Sequence, residues 1–282
     1  MADGLFTKPS IFKEILMNFL VVGPGAMGCL FAARLKNAGY DVTLLDHVKE
    51  RADAIDKQGI MVEGISGEYT VNVPAVCGDI PFQPDFALIS VKANNTREAG
   101  LAIRSLISHK TIVVTLQNGV GNLEVLEETF GRERVLGGVT AEGATLLGWG
   151  RIRHAGQGAT VIGPKGGTDS PAKRLVSALN KAGFDAKSTD NVNDLIWGKL
   201  IINVGINALT AITGLKNGRL PELDGTRLTG RYSPYHGGSG QRSGCNSRGK
   251  TDPSPLSEPN RPSDRGMPCH CRKYRVHAAG RP

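Results

Sequence analysis

The stretch Phe19-Leu-Val-Val-Gly-Pro-Gly-Ala-Met-Gly28 decides the fold of this chain. Apolar residues typical of a buried strand run directly into the spacing Gly-x-Gly-x-x-Gly, and an apolar helix pattern follows from Cys29 to Gly39. In such a turn Gly23 permits the tight bend, Gly25 lets backbone approach a pyrophosphate, and Gly28 lets the helix pack close to the strand. The free amides at the helix N-terminus would then face the phosphates. We therefore predict the first βα turn of a dinucleotide-binding domain.

A second predicted strand, Tyr40-Asp-Val-Thr-Leu-Leu-Asp46, ends in an acid about 20 residues after the glycines. This context favours a nucleotide site over a tight turn that binds no ligand. The Asp46 carboxylate would accept a hydrogen bond from a ribose 2′-hydroxyl and repel a 2′-phosphate, which favours NAD(H). His47, Lys49 and Arg51 follow at once and could instead neutralise a phosphate. The residues by themselves lean slightly towards NAD(H).

Strand and helix patterns alternate after this unit, which predicts an α/β fold. Lys92 follows a predicted strand at 86–91, and Asn118 follows another at 111–116. Open α/β sheets bind ligands at the carboxyl ends of their strands, so both side chains are candidate site residues. Taken singly, a lysine at a strand end is usually solvated, and Asn-Gly is usually a turn. The later predicted elements are antiparallel strands at 135–145 and 159–163, a helix at 171–182, a strand at 184–187 and a helix that begins near 192.

Three polar residues stand four positions apart in the segment from Trp197 to Asn207. On a helix the spacing of Lys199, Asn203 and Asn207 places one cation and two amides on one face, while the intervening residues are apolar. Such groups are costly on a buried helix unless they meet partners, and a lysine there needs a nearby anion to stay charged. We therefore expect a ligand between the nucleotide loop and this helix. The alternative is a polar helix face between two domains.

The chain has 282 residues, enough for two domains, and a formal net charge of +8. Residues 1–225 hold 23 basic and 23 acidic side chains, whereas residues 226–282 hold 11 basic against 3 acidic. The net positive charge therefore belongs to residues 226–282. It gives no reason to expect that residues 1–225 bind a nucleic acid. No run reaches the ~18 consecutive apolar residues of a membrane span, so no membrane partner is expected.

Cysteine usage and the start of the chain favour a cytoplasmic location. Cys29 and Cys77 lie in patterns that bury them as small apolar side chains, and the total of five cysteines is odd, which favours a reducing compartment. Residues 1–16 lack the apolar core and cleavage site of a signal peptide, and they are interpreted as an N-terminal extension.

Taken together, the motifs resemble those of the ketopantoate reductases, the 2-dehydropantoate 2-reductases of pantothenate and coenzyme A biosynthesis. The likeness runs from about residue 18 to residue 223. The glycine motif is shared by many dehydrogenases, whereas the lysine-asparagine motif is specific. The motifs are Gly-Pro-Gly-Ala-Met-Gly at 23–28, Val-Lys-Ala at 91–93, Leu-Gln-Asn-Gly-Val-Gly at 116–121, and Trp-Gly-Lys-x3-Asn-x3-Asn-x-Leu-Thr-Ala at 197–211 with Asn217-Gly.

The resemblance implies a reductase of a small-molecule 2-oxo acid, with Lys199 as the catalytic lysine and Asn203, Asn207 and Asn217 in contact with the substrate. It implies NADP(H) as cofactor, although family members often carry a basic residue where this chain has Asp46-His47, so NAD(H) stays open. Lys92 and Asn118 would lie at the nicotinamide end. The predicted cofactor contacts are Gly23, Pro24, Gly25, Ala26, Met27, Gly28, Asp46, Lys92 and Asn118.

The last 57 residues, 226–282, depart from the family, which needs a helical bundle there. They contain four large aliphatic residues, too few to bury the apolar area that offsets ordering, so a disordered basic tail is predicted. Read one nucleotide later, this segment permits codons for family-like sequence, and we expect it to be out of frame. It lacks the repeated motif of a nucleic-acid-binding tail. No metal site is predicted, since Cys269-His-Cys271 has no second pair of ligands at suitable spacing.

The predicted organisation is a Rossmann-type dinucleotide-binding domain at 17–190, the start of an α-helical domain at 191–225, and the tail. The function that follows is NADPH-dependent reduction of 2-dehydropantoate or a related 2-oxo acid. The alternative is a non-catalytic dinucleotide-binding remnant or sensor, because the C-terminal domain is incomplete. A homodimer is left open.

Overall fold

The structure is a computed structural model that describes residues 17–166, 170–215 and 219–220. The strands within these ranges are β1 Asn18–Val22, β2 Asp41–Leu45, β3 Ile60–Gly64, β4 Tyr69–Val71, β5 Ala75–Val76, β6 Phe86–Ile89, β7 Ile112–Thr115, β8 Val135–Thr140, β9 Gly143–Gly148, β10 Arg151–Gly156, β11 Thr160–Gly163 and β12 Ala186–Ser188. The α-helices are α1 Ala26–Asn37, α2 Lys49–Gln58, α3 Thr96–Ile103, α4 Asn122–Phe130, α5 Ser170–Lys181 and α6 Asn193–Thr213.

Eight strands form the main sheet, in the order β12-β11-β8-β7-β6-β1-β2-β5. β1 lies between β2 and β6 and is parallel to both, with Val21 opposite Leu44 on one side and Leu88 on the other. β7 and β8 extend the parallel part of the sheet beyond β6. Strands that follow β1 in sequence therefore lie on both sides of it in the sheet, which makes β1 a topological switch point. Open α/β sheets bind ligands at such a point. The predicted Rossmann-type α/β fold is confirmed.

Helices cover both faces of β1, which explains its continuous apolar sequence. Successive side chains of a strand point to opposite faces. Phe19 and Val21 join a core cluster that contains Phe31 of α1, whereas Leu20 joins a second cluster with Leu126 of α4. A strand buried on both faces is apolar throughout rather than alternating. This packing fixes the glycine turn at the carboxyl edge of the sheet.

A second sheet, in the order β4-β3-β10-β9, contacts α1. The expectation of a single strand at 135–145 is wrong, because β8 ends at Thr140 in the main sheet and β9 begins at Gly143 in the second sheet. Antiparallel pairing is confirmed for β8 with β11, while β8 also runs parallel to β7. Ala141 and Glu142 carry the chain from one sheet to the other, a long-range choice that local sequence does not signal.

The predicted helix at 171–182 corresponds to α5, and the predicted strand at 184–187 corresponds to β12. Each predicted end lies within two residues of the observed one. Cys29 is buried in α1, as expected. Cys77 is exposed, so the expectation that it is buried is wrong. The physical reason is that Cys77 follows the short edge strand β5 instead of lying within the sheet.

Helix α6 presents an apolar stripe that no other described element covers. Trp197 is 50 % exposed, Ile201 69 %, Val204 60 % and Ile212 82 %, and the spacing of these residues places them on one side of the helix. In the described part of the chain, α6 is the one helix whose length and mean hydropathy of 1.6 would suffice to cross a membrane. The helix is not continuously apolar, since it contains Lys199 and Asn203, and core helices of soluble proteins pass the same test.

Every described residue belongs to one compact unit. The domain boundary between residues 190 and 191 stays a prediction. The expected N-terminal extension at 1–16 and the expected disordered, out-of-frame tail at 226–282 lie outside the described residues.

Candidate active site

A cavity of about 770 Å³ opens beside the carboxyl ends of β6, β7 and β8. Its walls come from parts of the chain that are far apart in sequence: α1, the segments after β6 and β7, the connection from β8 to β9, and α6. Met27, Lys92, Asn118, Lys199 and Asn203 all line it. The structure therefore brings together five of the residues that the sequence singled out.

The glycine turn leaves room for a phosphate group. Gly23 has a φ of +98°, which favours glycine, and a Cβ on Gly28 would lie 2.1 Å from the Gly23 carbonyl oxygen. A Cβ on Gly25 would meet only the Ser90 carbonyl oxygen, at 3.8 Å, so the space in front of it is open. Within the described ranges no side chain caps the start of α1, and its first amides point towards the space where an anion would bind. The geometry of the glycines and of the helix start fits the pyrophosphate of a dinucleotide. The contacts predicted for Pro24, Ala26 and Met27 in the same turn stay predictions.

Gln117, which the sequence reasoning did not single out, holds the loops that carry Lys92 and Asn118. Its Nε2 donates to the Val91 carbonyl at 2.7 Å and to the Thr96 hydroxyl at 2.9 Å. Its Oε1 accepts a hydrogen bond from the Thr115 hydroxyl at 2.8 Å. One amide thus links the end of β6, the start of α3 and the end of β7. The position of Gln117 in the motif Leu-Gln-Asn-Gly was the only sequence signal of this role.

The Lys199 ammonium projects from α6 into the cavity and donates to the Thr140 carbonyl, 2.7 Å away. Burial lowers the pKa of Lys199, because the charged form loses hydration. No carboxylate of the described residues lies within ion-pair distance of it. The anion that the sequence reasoning required is therefore not supplied by this part of the protein. One donor hydrogen is engaged by Thr140, and two others are available to a ligand.

Lys199, Asn203 and Asn207 form a polar ladder along one face of α6, and its other two members differ in position. Asn203 is half-buried and lines the cavity one helical turn beyond Lys199. Asn207 is exposed and is not among the residues that line the cavity, so the three ladder residues do not all reach one cavity in this structure. Asn217 lies outside the described residues.

Asp46 directly follows β2 and lines a second cavity, not the one around Lys199. Arg51 donates to both carboxylate oxygens, from Nε at 2.5 Å and from Nη2 at 2.7 Å, and the Val48 amide donates to Oδ1 at 3.2 Å. Burial raises the pKa of Asp46, but the hydrogen bonds from Arg51 and Val48 outweigh burial and lower it below its usual range. Asp46 therefore carries a negative charge at neutral pH.

Glu142 forms part of the wall around Lys199 and was not predicted from the sequence. Its Oε2 lies 2.7 Å from Nε2 of His154 and 3.8 Å from Nη1 of Arg34, and all three side chains are largely buried. Arg34 also donates to the Ala182 carbonyl at 3.1 Å and lies over the Phe184 ring. This cluster secures the connection from β8 to β9, the segment that follows the Thr140 acceptor of Lys199.

Comparison with known proteins places this geometry in one family. The sequence model described as "Ketopantoate reductase PanE/ApbA" matches residues 19–167, and that of its C-terminal region matches residues 191–230. The 2-dehydropantoate 2-reductase of Pyrococcus horikoshii is 34 % identical over 210 residues, which cover 74 % of this chain and 68 % of that protein.

Solved structures agree with the sequence comparison. The crystal structure of 2-dehydropantoate 2-reductase from Geobacter metallireducens has a TM-score of 0.69 and 29 % identity, covering 75 % of this chain and 71 % of that one. The ternary structure of D-mandelate dehydrogenase with NADH and anilino(oxo)acetate also has a TM-score of 0.69, with 27 % identity over 75 % of this chain and 69 % of that one. Motifs, fold and relatives therefore lead to one conclusion: this chain belongs to the ketopantoate reductase family.

Proposed function

We propose that this chain reduces 2-dehydropantoate to pantoate with a nicotinamide dinucleotide as the hydride source, in pantothenate and coenzyme A biosynthesis. The observation that carries the proposal is the single cavity that Lys199 shares with Lys92, Asn118 and Asn203. A cationic donor beside the ends of parallel strands suits a ligand that carries a carboxylate and a ketone. Membership of the family supports the reaction class.

Lys199 performs the acid step in this proposal. A reduced nicotinamide, when bound, supplies the hydride that the C2 ketone carbon accepts. As the carbonyl π bond breaks, negative charge develops on the ketone oxygen, and an N–H of Lys199 that Thr140 does not engage stabilises it. The same nitrogen then gives its proton to the oxygen and is left as a neutral amine. Burial favours this transfer, since it lowers the pKa of Lys199.

The amide side chains hold the substrate in this scheme. Asn203 lies one helical turn from Lys199, where it can donate to a hydroxyl or carboxylate at the other end of a short acid. Asn207 and Asn217 are proposed as further substrate contacts on the strength of the family motif. Lys92 and Asn118 are proposed to lie at the nicotinamide end. Gln117 would act on both of them as a positioning residue.

The remaining attributes are part of the same proposal. The family resemblance favours NADPH, whereas Asp46 favours NADH. A cytoplasmic location, a small-molecule substrate and the absence of a nucleic-acid or membrane partner suit a biosynthetic reductase, and a homodimer stays open. The non-catalytic remnant is not favoured, because the lysine and its cavity are present.

The test uses the full 282-residue chain. Purified protein is mixed with 2-dehydropantoate and either NADPH or NADH, pantoate is quantified by mass spectrometry, and Lys199→Ala serves as the inactive control. Coenzyme binding without pantoate formation would instead support the remnant. Residues 226–282 are expected to be out of frame, which predicts weak activity. An unbroken gene sequence together with measurable reduction would overturn that expectation.

A further inference from the structure

The second cavity, of about 260 Å³, lies at the carboxyl end of β2, between the glycine turn and α3. Gly23, Asp46 and Ala99 are among its walls, and most of its lining is apolar. In a dinucleotide-binding fold this position takes the adenosine half of the coenzyme, with the ribose next to the residue that ends β2. The side chains here therefore determine whether a 2′-hydroxyl or a 2′-phosphate is accepted.

The charged residues that line this cavity are both acidic. Asp46, directly after β2, and Glu98 of α3 line it, and no lysine or arginine of the described residues does so. His47 also lines it, and Nδ1 of its largely exposed ring lies 3.4 Å from Oδ1 of Asp46. A negatively charged 2′-phosphate would meet two carboxylates in this cavity.

The basic residues after β2 already have partners within the protein. Both donors of Arg51 that face Asp46 are engaged by its carboxylate. Lys49 donates to both carboxylate oxygens of Asp53, at 2.9 and 2.8 Å, on the exposed side of α2. Sequence alone allowed either cation to neutralise a phosphate. In the structure, Arg51 instead fixes the orientation of Asp46.

The Asp46 carboxylate retains the capacity to bind a hydroxyl. Its Oδ1 accepts from Arg51 and from the Val48 amide, and its Oδ2 accepts from Nε of Arg51. A carboxylate oxygen has two lone pairs, so Oδ2 can accept one more hydrogen bond. A ribose 2′-hydroxyl supplies such a donor, and a 2′-phosphate at neutral pH does not.

We propose that this chain selects NADH over NADPH, with Asp46 as the specificity-determining residue and Glu98 as a second acid that repels a 2′-phosphate. The inference rests on the proposed function, since it assigns the coenzyme of that same site. It departs from the NADPH preference that the family resemblance implies. The expected ratio of dissociation constants, NADPH over NADH, is about 10 to 100, the range for one hydrogen bond to a charged group.

Calorimetric titration of the full chain with NADH and with NADPH, at one fixed ionic strength, measures this ratio directly. NADH is expected to bind more tightly. Equal or tighter binding of NADPH would overturn the inference and leave the proposed reductase function intact. Failure of both coenzymes to bind at millimolar concentration would overturn the proposed function as well.

Variants identify the residues responsible. Asp46→Asn keeps the shape, removes the charge and frees Arg51, so the ratio should fall about tenfold or more. Glu98→Gln should lower the ratio by a smaller factor, and it serves as the second test if Asp46→Asn does not fold. Glu50→Gln is the matched control, because Glu50 is exposed on α2 and does not line the cavity. An equal fall in the Glu50→Gln protein would refute the specific role of Asp46.

Discussion

Replacing Gln117 with leucine should loosen both loops at the candidate active site. The substitution keeps a similar volume but removes two hydrogen bonds from Nε2, to the Val91 carbonyl and the Thr96 hydroxyl, and one accepted by Oε1 from Thr115. Lys92 follows the Val91 carbonyl directly, and Asn118 follows Gln117 itself. Both candidate site residues therefore lose the link that fixes their spacing.

The magnitude follows from the three bonds. Each neutral hydrogen bond contributes about 0.5–1.5 kcal/mol, so the variant should lose roughly 2 to 4 kcal/mol of unfolding free energy. For a protein of this size the thermal midpoint should fall by roughly 5 to 15 °C. Misplacement of the two loops should also lower kcat by about tenfold or more, since catalysis depends on sub-ångström placement of substrate and coenzyme.

Thermal unfolding, calorimetric coenzyme binding and steady-state kinetics measure these effects. Gln83→Leu is the matched control, because Gln83 makes one exposed hydrogen bond, to the Leu106 carbonyl at 3.3 Å. That protein should differ from the parent by no more than about 0.5 kcal/mol. If Gln117→Leu unfolds within two or so degrees of the control and binds coenzyme equally well, Gln117 does not organise the site.

Three further predictions concern Lys199 and the thiols. In a full-length, active version of the protein, Lys199→Ala should lower kcat by about 10²-fold or more, whereas Asn207→Ala should mainly raise KM, and an unchanged kcat for the lysine variant would remove it from the mechanism. In a pH profile, kcat for reduction should fall as pH rises through the pKa of Lys199, with a midpoint below the usual lysine value of about 10.4, because burial lowers that pKa. A midpoint above that value would contradict a buried acid. Alkylation followed by peptide mass spectrometry should label exposed Cys77 well before Cys29, because burial raises the pKa of the Cys29 thiol to about 12; equal rates would contradict the packing of α1.

The sequence by itself determined the βα nucleotide turn, the parallel strands that follow it and the helix that carries Lys199. These features were readable because their signals are local. The spacing of Gly23, Gly25 and Gly28 reflects steric limits within one turn, and the four-residue spacing of Lys199 and Asn203 reflects the geometry of one helix. Because these signals are local, they predict where each helix or strand lies in the sequence. They do not predict which other elements it packs against.

Tertiary structure alone decided which groups meet. Lys199 donates to Thr140, 59 residues earlier in the chain, and the amide of Gln117 bridges segments up to 26 residues apart. The connection at Glu142 divides a predicted single strand between two sheets. Even the pairing of Arg51 with Asp46, only five residues apart, depends on how α2 packs against the end of β2. These contacts depend on the relative placement of whole elements, which the burial of the common core fixes and which no short stretch of sequence encodes.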